Sequence, residues 1–190
     1  MPKPFSRRPI KFSATHLATI ALACLAFAGC GGADQKQFSS LTYPFSFSYS
    51  SSWKLTRNAT FNYGSGSGER SLSIALKEPF DQVTITQYKL RRKLRPNENG
   101  NRREVDRVVK KLSTQAKGAA SDATTVKYGG SPGYQYVVEY AAADGTELRN
   151  TLTFLFKGED EFQINCQSSP KHRTDLDKGC EMVLGTLKFK

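Results

Sequence analysis

Histidine and methionine occur only twice each in this 190-residue chain, tryptophan once and cysteine four times. So few soft and nitrogen ligands leave little material for a transition-metal site or a His-dependent active site, and no cofactor is expected. Signature motifs are missing as well. There is no G-x-S-x-G nucleophile elbow, no calcium loop with alternating oxygen ligands, and no Lys-Ser/Thr pair after the Gly64-Ser65-Gly66-Ser67-Gly68 run, which is a flexible hairpin connection. Long apolar runs are also lacking. The run from Leu17 to Gly29 would span about 20 Å as a helix, against roughly 30 Å of hydrocarbon, so it is too short for a permanent transmembrane span. With 38% hydrophobic and 24% charged residues, what is there suits one ordinary domain rather than a multidomain enzyme or a disordered tail.

The first segment is a processing signal. Lys3, Arg7, Arg8 and Lys11 precede the apolar run with no acid among them, which is the n-region and h-region of an export signal over residues 1–29. The run closes Leu25-Ala26-Phe27-Ala28-Gly29-Cys30, and small residues before a cysteine in this setting resemble the lipobox of bacterial lipoproteins. Phe27 stands where leucine is usual. The resemblance implies that the Cys30 thiol carries diacylglycerol and becomes the new N-terminus, with two acyl chains enough for stable anchoring. The alternative is a plain secretory signal followed by an unrelated cysteine. Residues 30–39 are then the lipidated cysteine and a flexible tether, and residues 40–190 a single globular domain.

Loss of residues 1–29 leaves 24 cations against 17 anions, a net charge of +7. That excess is local. Lys89, Arg91, Arg92, Lys93, Arg95, Arg102, Arg103, Arg107, Lys110 and Lys111 face only Glu98, Glu104 and Asp106 between residues 89 and 111. Either this is a solubilising face, or it attracts anionic lipid headgroups or an acidic envelope protein. Nucleic acid is not expected, because an exported domain without a binding motif rarely meets it. Cys166 and Cys180 are the pair left in an oxidising compartment, so a disulfide is expected; the alternative is two buried reduced thiols.

Alternation predicts strands at Phe45, Phe47 and Tyr49, at Trp53 and Leu55, at Leu72, Ile74 and Leu76, and at Val83 and Ile85. The period then changes. Val105, Val108, Val109, Leu112 and Ala116 form one stripe of an amphipathic helix that begins near 99–102 and ends at Gly118. From Gly129 the period returns to two, with Tyr134, Tyr136, Val138 and Tyr140 on one face. A hairpin at Asp144-Gly145, a strand carrying Leu152, Phe154 and Phe156, and another carrying Phe162, Ile164 and Cys166 follow. Pro170 opens a short helix with Leu176, Cys180 and Val183 on one face, and a last strand closes near Phe189. His172 is expected to be a solvated helix residue, and Glu159, Asp160 and Glu161 a solvated turn.

The aromatic opening strand, GGSPGYQYVVEY, TLTFLF followed by EFQINCQSS, and a terminal helix leading into TLKF resemble the PsbP/Mog-like fold, and within it small exported lipoproteins of the LpqN or PsbP-like kind. The resemblance implies an α+β domain, an antiparallel sheet flanked by helices, in a protein that binds or assists others and shares no catalytic residues. The expected function is a lipid-anchored, non-enzymatic accessory protein on the extracytoplasmic face of the cell membrane or the periplasmic side of an outer membrane. The alternative is an envelope enzyme or small-ligand carrier with a pocket between sheet and helix, lined by Tyr134, Tyr136 and Tyr140.

Overall fold

Alternating apolar residues dictate most of the chain path. The structure is a computed structural model that describes residues 34–58, 70–90 and 99–190. The export signal, Cys30, the 64–68 glycine run and Arg91, Arg92, Lys93 and Arg95 lie outside the described residues. The elements are β1 (Gln35–Phe38), β2 (Phe45–Ser50), β3 (Lys54–Arg57), β4 (Arg70–Lys77), β5 (Asp81–Lys89), α1 (Asn99–Gln115), β6 (Ala119–Ala120), β7 (Thr124–Tyr128), β8 (Ser131–Ala141), β9 (Glu147–Lys157), β10 (Asp160–Ser168), α2 (Arg173–Thr186) and β11 (Lys188–Phe189).

Among the described residues, eight strands form one antiparallel sheet in the order β3-β4-β5-β10-β9-β8, with β6 and β7 both pairing along the outer edge of β8. A second sheet has the order β1-β2-β11. The large sheet buries a different core on each side. Leu72, Ile74, Val83, Ile85, Leu155, Phe162, Ile164 and Cys166 face the small sheet and α2, whereas Tyr134, Tyr136, Val138, Leu152, Phe154 and Phe156 face α1. The α+β antiparallel architecture implied by the sequence is the one observed.

Two details correct the expectation. Residues 35–38 are not tether but strand β1, antiparallel to β2 with Phe38 opposite Phe47. Gln-Lys-Gln shows no apolar alternation, and one ring does the work: Phe38 is buried and stacks on Phe47 with centroids 5.1 Å apart. The second detail is β6 and β7, two short edge strands between α1 and β8. Their side chains are mostly exposed, so neither displays a half-buried pattern that a sequence could announce.

The C-terminal helix is fixed by three devices. Leu176, Val183 and Leu184 are buried against the sheet. Cys166 on β10 and Cys180 on α2 are joined by a disulfide with Cα atoms 6.0 Å apart. At the helix entrance the buried Asp81 carboxylate accepts from the Ser169 backbone N–H at 2.7 Å and from its hydroxyl at 2.8 Å. The disulfide, closing a loop of this size, contributes about 3 kcal/mol in the chain-entropy model.

Trp53 packs against Gly179 of α2, where an added Cβ would run into three atoms of the indole ring. Alanine would improve helix propensity by up to about 1 kcal/mol. Overpacking a filled core costs about 1–3 kcal/mol and wins, because the buried ring has no room to retreat. Gly179→Ala is therefore expected to lower unfolding free energy by about 1–2 kcal/mol in urea titration; unchanged or raised stability would show that Trp53 does not occupy this place.

Candidate functional site

Helix α1 lies along β8, with Val105 and Val109 buried and Leu112 half-buried over the tyrosine and phenylalanine row. Val108 was expected in the same stripe but is 47% exposed. The arc covered by the sheet edge is narrower than the apolar arc of the helix, and the outermost valine falls beyond it.

On the opposite arc Arg103, Arg107, Lys110 and Lys111 are all exposed, at positions that place them side by side on successive turns. Among the described residues none of these four forms an ion pair. Arg102 differs: its Nε is 3.9 Å from Asp106 Oδ2, an i,i+4 contact. Lys89 does not belong to the helical face either. It ends strand β5, pairs with Asp160 at 3.1 Å, and borders the small-sheet side together with Lys157 and Lys190. The basic stretch of the sequence is thus divided between two sides of the sheet.

Between α1 and the β6–β7 segment runs a cleft of about 360 Å³, walled by Arg102, Asp106, Lys110 and Ser113 and floored by Tyr136. The Tyr136 hydroxyl donates to Asp106 Oδ1 at 2.7 Å. Burial first, then the bond to and charge of Asp106, hold the phenol well above its ordinary value, so it stays protonated. Asp106 is already engaged by Tyr136 and Arg102, which leaves no poised base beside a nucleophile. The lining sets two cations, Arg102 and Lys110, against two acids, Asp106 and Asp122, so the cleft carries no formal charge excess. Sequence reasoning placed Tyr136 on the helix-facing side of β8 but missed its partner, because Asp106 sits one position beyond the stripe residue Val105.

The expected ligand-lining row is mostly core. Tyr134 and Tyr136 are buried edge-to-face against Phe156 and Phe154, with centroids 6.5 and 6.0 Å apart, and the half-buried Tyr140 donates to Gln167 Oε1 at 3.0 Å. His172 ends a short 3₁₀ turn, Pro170–His172, and is half-buried. Among the described residues no group of His, Cys, Asp and Glu could hold a metal, and no helix is long and apolar enough to cross a membrane.

Glu161 overturns the reading of 159–161 as a solvated turn. It lies within β10, opposite Tyr88 of β5 and Phe156 of β9, and burial raises its carboxyl to about 7. Alternation alone predicts one inward residue among three consecutive acids, but not which face is enclosed.

An antiparallel α+β sandwich with its core divided by one large sheet is the class these features define. No family model matches the sequence, and no curated protein matches it. Solved structures do match in shape. The solution structure of cyanobacterial PsbP (CyanoP) from Synechocystis sp. PCC 6803 is similar with a TM-score of 0.57 at 12% identity, over 85% of this chain and 96% of that one. LpqN of Mycobacterium tuberculosis, a protein involved in cell envelope biogenesis, is similar with a TM-score of 0.50 at 11% identity, over 82% and 91%. A Bacteroides thetaiotaomicron structure gives 0.55 at 17% identity over 83% of this chain, which spans about half (49%) of that protein. The domain therefore has the PsbP-like fold.

The raised carboxyl gives a pH signature. Glu161 binds its proton more tightly folded than unfolded, so its contribution is complete below pH about 4.5 and is lost as pH rises to about 7. Glu161→Gln is expected to flatten that part of the stability profile and to stabilise the domain at pH 8 by up to about 3 kcal/mol, from the conversion of about 1.36 kcal/mol per pKa unit. Urea midpoints measured from pH 4 to 8 check it: parallel profiles for the two proteins would mean the carboxyl is solvated.

Proposed function

We propose that this chain is a lipid-anchored, extracytoplasmic accessory protein of the cell envelope, non-enzymatic, held to its membrane by diacylglyceryl-Cys30. Helix α1 is its contact surface for an anionic partner, whether lipid headgroups or an acidic envelope protein. The observation that carries this reading is the arc of four exposed cations on α1, Arg103, Arg107, Lys110 and Lys111, with no acid paired to them among the described residues. Exposed cations clustered on one face raise the local concentration of an anionic partner and speed its encounter.

Two further points support it. The PsbP-like fold is shared with LpqN, a protein of envelope biogenesis, and the Leu25–Cys30 segment has the order of a lipoprotein processing site. The competing reading, an enzyme or carrier, requires open space between sheet and helix, and the buried rings of Tyr134 and Tyr136 fill much of it.

Fractionation of host cells tests the anchor. The wild-type protein is expected in the membrane fraction and to resist extraction by high salt, since acyl chains are held by hydrocarbon rather than by charge. Cys30→Ser is expected in the soluble extracytoplasmic fraction. Equal membrane retention of the two proteins would overturn the reading.

A further inference from the structure

We infer that the basic face of α1 points away from the membrane that holds the protein and serves as a docking surface for an acidic protein, not for the lipid beside Cys30. The inference rests on the lipid anchor proposed above and chooses between the two partners left open there.

The argument is one of reach. β1 is an edge strand of the small sheet and lies against the β3 edge of the large one, where the Arg57 guanidinium sits over the Phe38 ring at 5.6 Å. α1 packs on the other face of the large sheet, at the opposite edge, against β8 and β6. The two therefore occupy diagonally opposed corners of the domain. Stacked sheets are about 10 Å apart, and a helix with its side chains is about 10–12 Å across. The outer face of α1 thus lies on the order of 25 Å from the plane of the small sheet, measured straight through the layers. The five inter-strand spacings from β3 to β8 add roughly 24 Å sideways at about 4.8 Å each.

From Cys30 to Gln35, the first residue of β1, the chain spans at most about 17 Å when fully drawn out. If the arc of Arg103, Arg107, Lys110 and Lys111 rested on the headgroups, Gln35 would stand farther from the bilayer than this length allows. The strand ends that the tether does bring to the membrane are others. Gln35 is opposite Ser50, and the Ser51 N–H donates to Asp34 O at 2.7 Å, so the turn after β2 is the part held close.

The chemistry of the exposed arc favours a protein. Val108, 47% exposed, stands between Glu104 at i−4 and Lys111 at i+3. An exposed apolar side chain set between charged ones matches the anatomy of a protein interface, with an apolar contact inside a polar rim, whereas lipid phosphates offer no apolar contact at the headgroup surface.

Two measurements on the full lipidated protein decide it. First, the protein is reconstituted in vesicles of phosphatidylethanolamine and phosphatidylglycerol, with a thiol-reactive fluorophore on Lys111→Cys or on Ser52→Cys. Headgroup spin-labelled lipid is expected to quench the probe at 52 and to spare the probe at 111, at low and high salt alike. Quenching at 111 equal to that at 52 would overturn the inference while leaving the anchor intact; release of both probes from the vesicles would instead defeat the anchor.

Second, a photo-crosslinking residue replaces Val108 in the host. The expected product is a protein adduct whose crosslinked peptide is acidic. Its yield should fall at least about tenfold in Arg103→Glu/Arg107→Glu/Lys111→Glu, as like-charge juxtaposition requires, and persist in Arg103→Lys/Arg107→Lys/Lys111→Arg. A lipid adduct, no adduct, or a yield indifferent to charge reversal overturns it.

Discussion

The register of β10 between β5 and β9 is the constraint on which the rest of the domain depends. Ile164 stands opposite Ile85 on one side and Thr153 on the other, and this pairing sends Phe162, Ile164 and Cys166 to the small-sheet side. Glu161, Gln163, Asn165 and Gln167 consequently line the opposite side. A slip of one residue would exchange the two sets and place charge in the aromatic core. It would also turn the Cys166 sulfur away from α2, so the disulfide reports the register as well as stabilising it.

Function is arranged around that division. The face toward α2 is sealed by aliphatic and aromatic contacts and offers little to a partner. On the α1 side the core is apolar beneath the helix, along β8 and β9, and polar farther in, where Thr84, Thr86, Gln163 and Asn165 are buried. α1 follows the apolar strip, which leaves its outer arc free to carry cations at no cost to packing. Asp106 is the exception that ties the two roles together, because it accepts from Tyr136 below and meets Arg102 beside it.

Much of this was legible in the residues. Phe45 and Phe47, Leu72 and Ile74, and Phe162, Ile164 and Cys166 alternate cleanly, and each set lies buried on one face. The helix stripe was legible except at Val108, where the sheet edge rather than the helix decides what is covered. β1 was not legible, since Phe38 is its one apolar residue, and neither were β6 and β7, whose side chains mostly face solvent. The charge of the 89–111 stretch was plain in composition, but its division between β5 and α1 was set by where a sheet ends and a helix begins. Glu161 shows the same limit: periodicity assigns a side, and only the neighbouring strands decide how wet that side is.

The clasp at the start of α2 has an effect on how copies of the protein treat one another. Between β10 and α2 the chain is held at Asp81 and again at the sulfur bridge, so the last helix is closed into a covalent ring with the central strand. Exchange of that helix between two molecules, a familiar route to domain-swapped dimers, would first require a sulfur–sulfur bond to be cut. Neighbouring copies can touch, yet while the bridge is intact none can lend another its C-terminal helix.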